Sequence, residues 1–178
     1  MWNRRWHLRL RRAALLIVDV QNGLFRRATP IYRADELLTN INVLVDRAHR
    51  AGAPVFYVQH SGGTFLAEGS DGWRLHPRLV PQAGDTIVHK RRVNAFDGTG
   101  LARQMASRDV KTVVITGLVT HACVRATCRG AKDLGYRVIL VRDGHSNSSK
   151  HAAEVIERWN QRLAAGTVEL CAALETTF

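Results

Sequence analysis

The sequence predicts an α/β protein, a three-layer α-β-α sandwich built on a mostly parallel sheet of about six strands. Short apolar runs, which are typical of strands buried on both faces, alternate with amphipathic helical segments along most of the chain. Neither an internal repeat nor a low-complexity segment interrupts this alternation. Such a pattern favours a parallel sheet with helices packed on both faces.

The apolar runs define the strands of the predicted sheet. The first covers residues 13–18 and ends at Asp19, and the run over residues 111–116, which ends at Gly117, is the predicted central strand. The remaining predicted strands are residues 55–58, 86–89, 137–141 and, as an edge strand, 167–170.

The helices are predicted from apolar residues that recur at helical spacing. The clearest covers residues 35–51 and is stopped by Gly52 and Pro54. Three further helices are predicted over residues 101–107, 121–134 and 151–163. Residues 61–84 are rich in Gly and Pro and lack periodicity, so they form the predicted long loop, which we interpret as a substrate lid.

The length of 178 residues suits one domain, over residues 13–178, preceded by a basic arm over residues 1–12. With 46% hydrophobic and 23% charged residues, and no apolar run near the roughly 20 residues of a membrane span, the composition is that of a water-soluble globular protein. The three cysteines, an odd number, do not suggest a disulfide framework. The start lacks the pattern of a secretory signal, so we expect a cytoplasmic protein.

The formal net charge of +11 raises the possibility of a nucleic-acid partner. Five arginines without any acidic residue lie in the first twelve residues, and the other charges are spread over the chain. No nucleic-acid recognition motif accompanies them. We therefore interpret them as an exposed arm and an Arg-rich surface, and treat nucleic-acid binding as the less favoured alternative.

Chemically useful residues follow several of the predicted strands. In open parallel sheets, ligands bind beyond the carboxyl ends of the strands, where the strand order reverses. Asp19, Lys90 and the turn over residues 117–123 all come at such ends. We therefore expect these three features to lie close together.

Cys123 lies where a predicted strand turns into a helix. The free amides and dipole at a helix start favour a thiolate, and the amides of Val119 and Cys123 could form an oxyanion hole. A buried structural cysteine is the competing interpretation, and it is the one we adopt for Cys128 and Cys171.

Each of the other two residues also has a purely structural interpretation. Asp19 could be a carboxylate that caps a loop, and Lys90 could be a surface charge. Together with Cys123 they would give a thiol, a carboxylate that takes its proton and an ammonium that holds the pair.

Three ordered motifs carry a resemblance to a known family. They are Leu-Ile-Val-Asp-Val-Gln-Asn-Gly-Leu-Phe over residues 16–25, Lys-Arg-Arg-Val-Asn-Ala-Phe over residues 90–96, and Gly-Leu-Val-Thr-His-Ala-Cys-Val-Arg-Ala-Thr over residues 117–127. The chain resembles the cysteine hydrolases of the isochorismatase-like superfamily, which includes nicotinamidases, N-carbamoylsarcosine amidase, ureidoacrylate amidohydrolases and streptothricin hydrolase. The resemblance extends over residues 14–178.

The resemblance implies a catalytic triad of Asp19, Lys90 and Cys123, in which Asp19 takes the thiol proton and later returns it to the leaving amine. It also implies a cis peptide between Leu118 and Val119. The residues expected to line the substrate pocket are Gln21, Leu24, His60, Trp73, Phe96 and Leu118, of which His60 and Trp73 are our own additions.

The chain departs from some members of that superfamily. Nicotinamidases carry an Asp-x-His metal cluster after the second strand, whereas this sequence reads Val-Gln-His-Ser-Gly over residues 58–62. We therefore expect no metal and no cofactor. Members that hydrolyse a vinyl ether lack the cysteine, so Cys123 argues against that reaction.

The sequence thus predicts a hydrolase that cleaves an amide or ureide-type C–N bond of a small molecule through a cysteine acyl-enzyme. A homodimer or higher homo-oligomer is implied by the resemblance, without a membrane partner. Two alternatives stay open: a non-hydrolytic protein in which Cys123 is a redox sensor, and nucleic-acid binding through the Arg-rich arm.

Overall fold

A computed structural model describes residues 12–178 of the chain. The predicted basic arm therefore lies outside the described residues, except for Arg12. Six parallel strands form one sheet in the order β3-β2-β1-β4-β5-β6. They are β1 (Ala13–Val18), β2 (Val55–His60), β3 (Thr86–Lys90), β4 (Thr112–Leu118), β5 (Arg137–Ser146) and β6 (Glu169–Cys171).

Helices cover both faces of this sheet. They are α1 (Asn22–Phe25), α2 (Ala34–Arg50), α3 (Leu101–Ala106), α4 (Arg125–Asp133) and α5 (Ala152–Ala165), together with a π-helical turn over Thr120–Val124 and a 3₁₀ turn over Ala173–Glu175. The predicted three-layer α/β sandwich is confirmed. Within the described part of the chain, no helix is long and apolar enough to cross a membrane.

The centre of the sheet explains the continuous apolar run at the start of the sequence. All six residues of β1 are buried, because the strand lies between β2 and β4 and helices cover both faces of the sheet. Leu15 and Ile17 belong to the core that α2 covers, whereas Leu16 and Val18 belong to the core under α3 and α4. Successive side chains of a strand point to opposite faces, so both faces of β1 require apolar residues.

The strand order reverses between β1 and β4. From β1 the chain continues to β2 and β3 at one edge, and from β4 it continues to β5 and β6 at the other. A crevice at the carboxyl ends of the strands is expected at such a reversal. Asp19 directly follows β1, Lys90 ends β3, and the π-helical turn follows β4.

Among the differences from the prediction, two concern the elements around Cys123. Strand β5 continues to Ser146, five residues past its predicted end, because the register with β4 shifts: Ile115 pairs with Leu140, but Gly117 pairs with His145. Helix α4 begins at Arg125 instead of residue 121, because the π-helical turn occupies residues 120–124. Hydrophobic periodicity does not separate a π-helical turn from the start of an α-helix.

Candidate active site

The ammonium of Lys90 is the centre of a buried polar cluster at the carboxyl edge of the sheet. Its Nζ lies 2.8 Å from Asp19 Oδ2 and 3.3 Å from Cys123 Sγ. It also lies 3.1 Å from the Arg92 carbonyl oxygen and 3.2 Å from His60 Nδ1. Lys90 is only 1% exposed, so these groups replace the water that an ammonium normally binds. The predicted residues Asp19, Lys90 and Cys123 are thus brought together in space.

Asp19 is held in an unusual backbone conformation after β1. Its φ of 53° lies in the left-handed region, which Asp tolerates better than most residues. The Asp19 amide donates to the Val58 carbonyl (3.0 Å), so the neighbouring strand fixes this conformation. The Oδ1 atom is buried and makes no hydrogen bond to any described residue. One carboxylate oxygen is therefore occupied by Lys90 and the other is free to accept a proton.

Burial raises the pKa of Asp19 above its ordinary value, although Lys90 and the Cys123 thiol oppose the shift. A carboxylate with a raised pKa is a better proton acceptor than an ordinary one at neutral pH. Asp19 therefore has the electrostatic properties of a general base.

The cysteine lies within the π-helical turn instead of at the first turn of an α-helix. Burial raises the pKa of the Cys123 thiol to about 12, the Asp19 carboxylate raises it as well, and Lys90 opposes both effects. The expectation that the helix start would favour a resting thiolate is therefore wrong. With this raised pKa the thiol form of Cys123 is favoured at neutral pH.

The backbone before Cys123 is arranged by the end of β4. The peptide bond between Leu118 and Val119 is cis, as the resemblance implied. The Val119 carbonyl accepts the amides of Ala122 (3.0 Å) and Val124 (3.4 Å). The amide of Cys123, which lies between those of Ala122 and Val124 in the chain, takes part in neither of these two hydrogen bonds.

Gln21 holds β2 and the long loop together from inside the protein. Its Nε2 donates to the carbonyls of His60 (3.0 Å) and Trp73 (2.7 Å), and its Oε1 accepts the His60 amide (2.8 Å). The side chain is fully buried. All of these polar contacts are to the protein backbone. Gln21 therefore fixes the end of β2 at His60 relative to the loop at Trp73.

His60 contacts the Lys90 ammonium directly through Nδ1. A lysine ammonium has only donors, so Nδ1 accepts this hydrogen bond and the ring proton of a neutral His60 is on Nε2. Burial lowers the pKa of His60, and the neighbouring Lys90 lowers it further. His60 is therefore a neutral imidazole beside the cysteine and carboxylate.

The predicted lid, residues 61–84, is docked on the segment that follows β1. The Asn22 amide donates to the Arg74 carbonyl (3.0 Å) and the Gly23 amide to the Gly72 carbonyl (2.8 Å). A Cβ on either glycine would overlap the Phe65 carbonyl, so the two backbones approach as closely as they can. This packing holds residues 72–74 of the loop against the start of α1, so that the loop forms a wall beside the candidate site.

The other predicted pocket residues lie in several environments. Trp73 donates from Nε1 to Ser61 Oγ (2.9 Å), and its ring meets the edge of the His89 ring. Phe96 stacks on Tyr136, and Leu24 and Leu118 belong to the core that α2 covers. Substrate contact by these four residues stays a prediction.

Sequence reasoning did not identify a second polar cluster, which lies behind the π-helical turn that carries Cys123. Thr120, the first residue of the π-helical turn, lies 2.9 Å from His145 Nδ1, and His145 Nε2 lies 2.9 Å from Asn160 Oδ1. These residues come from three elements separated in the chain. No local pattern in the sequence indicates such a contact.

The side chains of residues 12–178 include no group of three or more His, Cys, Asp and Glu arranged to hold a metal ion. Close to Cys123, the imidazole Nδ1 of His60 is already bonded to Lys90. The cluster thus offers a thiol, a carboxylate and an ammonium, which together suit proton transfer and nucleophilic attack.

The sequence was compared with known proteins. Over 142 residues, 34% of positions are identical to streptothricin hydrolase from Streptomyces noursei, covering 79% of this chain and 51% of that protein. The alignment thus spans about half the length of that relative. Over 168 residues, 26% are identical to maleamate amidohydrolase from Pseudomonas putida, covering 83% of this chain and 79% of that protein.

The structure was compared with solved structures. An isochorismatase from Pseudomonas putida KT2440 superposes with a TM-score of 0.85 at 26% sequence identity, covering 93% of this chain and 90% of the other. The family model described as Isochorismatase domain matches residues 13–168. This match includes β1 to β5 together with Asp19, Lys90 and Cys123. The chain therefore belongs to the isochorismatase family.

Proposed function

We propose that this protein hydrolyses an amide or ureide-type C–N bond of a small molecule through a cysteine acyl-enzyme. The observation that carries the proposal is the contact of one buried ammonium, Lys90 Nζ, with both Asp19 (2.8 Å) and Cys123 (3.3 Å). The names of the streptothricin hydrolase and maleamate amidohydrolase relatives are those of hydrolases, and the second name refers to an amide.

In the proposed reaction Asp19 accepts the Cys123 proton while the sulfur attacks the substrate carbonyl carbon. The C–N bond then breaks, and the amine leaves with the proton returned by Asp19. Water attacks the thioester with Asp19 again accepting a proton, which passes to the sulfur as the carboxylic acid is released. The net change is one amide and one water converted to one acid and one amine.

The electrostatics of the cluster support this order of events. A thiol with a pKa of about 12 is protonated at neutral pH and requires a base, and the raised pKa of Asp19 suits it to that role. Lys90 stabilises the negative charge wherever it lies, on the carboxylate before proton transfer and on the sulfur after it.

The same electrostatics weigh against a redox-sensing role. Sensor cysteines are typically solvent-accessible thiolates with a low pKa. Cys123 is half-buried and its pKa is raised. Hydrolysis is therefore the better supported function for this thiol.

The oxyanion of the tetrahedral intermediate is proposed to bind the amides of Val119 and Cys123. The hydrogen-bond pattern of the turn supports this, because the Val119 carbonyl bonds to the amides on either side of Cys123. Of the predicted pocket residues, His60, Trp73 and Phe96 are proposed to face the substrate, whereas the buried Gln21, Leu24 and Leu118 are proposed to shape the pocket from inside the protein. Of these, His60 lies next to the reacting groups, and its Nε2–H could donate to a polar substrate group.

A homodimer or larger homo-oligomer and a cytoplasmic setting are further parts of the proposal. Phe65 is 61% exposed and Leu174 is 66% exposed, and burial of such apolar side chains against a second copy would favour self-association. The free thiols of Cys123, Cys128 and Cys171 suit a reducing compartment. Light scattering on a sizing column would measure the oligomeric state.

A panel of small amides and ureides, assayed for ammonia or amine release, tests the function. We expect Cys123→Ala to abolish turnover of every hit and Cys128→Ala to retain most of it. Cys128 is the matched control because it is a fully buried cysteine of α4, five residues from Cys123. Equal losses in both variants, or no acyl adduct at Cys123 in a rapidly quenched sample, would contradict the proposal.

A further inference from the structure

A chain of buried polar side chains runs from α5 to the turn that carries Cys123. His145 is 3% exposed, and both of its ring nitrogens are used, Nδ1 by Thr120 Oγ1 and Nε2 by Asn160 Oδ1, each at 2.9 Å. Thr120 and Asn160 are buried as well. No step of the proposed reaction uses these three side chains.

The hydrogen-bond directions along this chain follow from its end on α5. Asn160 Nδ2 donates to the Arg142 carbonyl (3.3 Å), which leaves Oδ1 facing His145. An amide oxygen only accepts, so His145 Nε2 carries the ring proton and Nδ1 is the acceptor. The Thr120 hydroxyl therefore donates to His145, and one tautomer of a neutral imidazole satisfies every bond.

The position of His145 depends on the register shift near the end of β5. After the register shift, His145 pairs with Gly117, which is three residues before Thr120. The shifted segment is held by Thr116, whose hydroxyl donates to the Gly144 carbonyl. A Cβ on Gly117 would collide with the backbone of Val18, so β4 and β1 are in close backbone contact at the position that pairs with His145.

We propose that His145 is a positioning residue, which fixes Thr120 and thereby the turn that presents Cys123 and the amides of Val119 and Cys123. This inference rests on the proposed function for its kinetic readout. Three buried polar groups are costly to keep unless each is satisfied, and apolar side chains of similar volume would fill the same space without that requirement. Hydrogen bonds depend on direction, whereas apolar contacts do not. The bonds from Thr120 through His145 to Asn160 therefore favour one orientation of the turn relative to α5 and β5.

Two substitutions of His145 test its two hydrogen bonds separately, because each keeps one bond and removes the other. In His145→Asn, the side-chain oxygen can take the place of Nδ1 and accept from Thr120, whereas the contact with Asn160 is lost. In His145→Gln, the longer amide can donate to Asn160, whereas Thr120 loses its acceptor. The positioning role assigns more importance to the Thr120 bond, so the Asn variant is the conservative one. His151→Gln is the matched control, because the His151 side chain is exposed and its Nδ1 lies as far as 3.6 Å from Glu154 Oε1.

For His145→Gln we expect kcat to fall roughly tenfold or more with KM changed less than about twofold, because a displaced nucleophile affects the chemical step more than binding. His145→Asn should lose clearly less, and His151→Gln should match the wild type. In hydrogen exchange, peptides covering residues 117–124 should take up deuterium faster in the Gln variant, while peptides of α2 should not change. Equal kcat losses in the Gln and Asn variants, or unchanged exchange over 117–124, would overturn the proposal.

The hydrogen-exchange readout needs no substrate. If the wild type hydrolyses no amide, the proposed function fails, and hydrogen exchange over residues 117–124 still decides whether His145 positions the turn. If His145→Gln does not fold, Thr120→Val and Thr120→Ser replace it, since Val removes the hydroxyl and Ser keeps it. The Val variant should then show the kinetic and exchange changes and the Ser variant should show smaller ones; identical behaviour would overturn the proposal.

Discussion

Lys90 Nζ lies 2.8 Å from Asp19 Oδ2, and both side chains are almost entirely buried. Removing one partner of a buried ion pair leaves the other charge without compensation. In this site the same ammonium also contacts the sulfur of Cys123, so its removal acts on stability and on thiol chemistry together.

Replacing Lys90 with Met keeps most of the side-chain volume and removes the charge. We expect Lys90→Met to lower the free energy of unfolding by about 3–5 kcal/mol and to raise the Cys123 pKa further, since Lys90 now lowers it. Chemical denaturation and the pH dependence of iodoacetamide alkylation would measure these effects.

The double variant Lys90→Met with Asp19→Asn is the control for stability. It removes both charges and should therefore be more stable than Lys90→Met alone. Superimposable alkylation profiles for wild type and Lys90→Met, with amide turnover retained, would make Lys90 a structural residue only.

Asp19→Asn should separate thiol ionisation from catalysis. The Asp19 carboxylate raises the pKa of Cys123, so its neutralisation should lower that pKa and speed alkylation at pH 8 to 9. Amide turnover should nevertheless be lost, because the general base is gone. Slower alkylation together with lost turnover would mean that the substitution distorts the site instead of only removing a charge and a base.

The wild-type thiol should show its raised pKa directly. Its thiolate fraction grows as pH rises toward the folded-state value of about 12, so the alkylation rate at Cys123 should rise about tenfold per pH unit through pH 9. A free cysteine instead is half ionised near pH 8.5, so its rate already begins to level off there. Peptide mass spectrometry, with circular dichroism at each pH, makes the measurement. A rate that levels off at or below pH 9 would contradict the burial argument.

Gln21→Ala should loosen the wall formed by residues 61–84. It removes three hydrogen bonds to the backbone of His60 and Trp73. The His60 amide and carbonyl lose these partners, at about 1–3 kcal/mol for each unsatisfied group, whereas the Trp73 carbonyl keeps its bond from Gln59 Nε2 (2.9 Å). Limited proteolysis should cut the loop faster, and KM should rise. Asn22→Ala is the control, because its exposed bond to the Asp71 carbonyl ties the same loop at the surface. Equal protease sensitivity of both variants would argue against the role assigned to Gln21.

Amide hydrolysis should survive treatment with EDTA or 1,10-phenanthroline. The segment after β2 lacks an Asp-x-His pair, and His60 Nδ1 is bonded to Lys90 instead of being free for a cation. A large loss of activity that zinc, iron or manganese restores would show that a metal takes part.

The sequence determined the architecture of this protein to a large extent. The apolar run over β1 and the helical spacing over α2 predict a buried parallel strand and an amphipathic helix because hydrophobic period is a local property. The ordered motifs around Asp19, Lys90 and Cys123 identified the residues that meet at one edge of the sheet. Chain order and strand ends are enough for that inference, since parallel strands all end at the same edge.

Only the tertiary structure decided how these residues behave. The position of Cys123 suggested a thiolate, but burial raises its pKa, and burial depends on what the fold packs around the sulfur. In the same way, the contacts of Lys90 with His60 and of Thr120 with His145 join residues 30 and 25 positions apart. Such contacts have no local signature, because a side chain's partners and its access to water are set by the packing of distant segments and not by its neighbours in the chain.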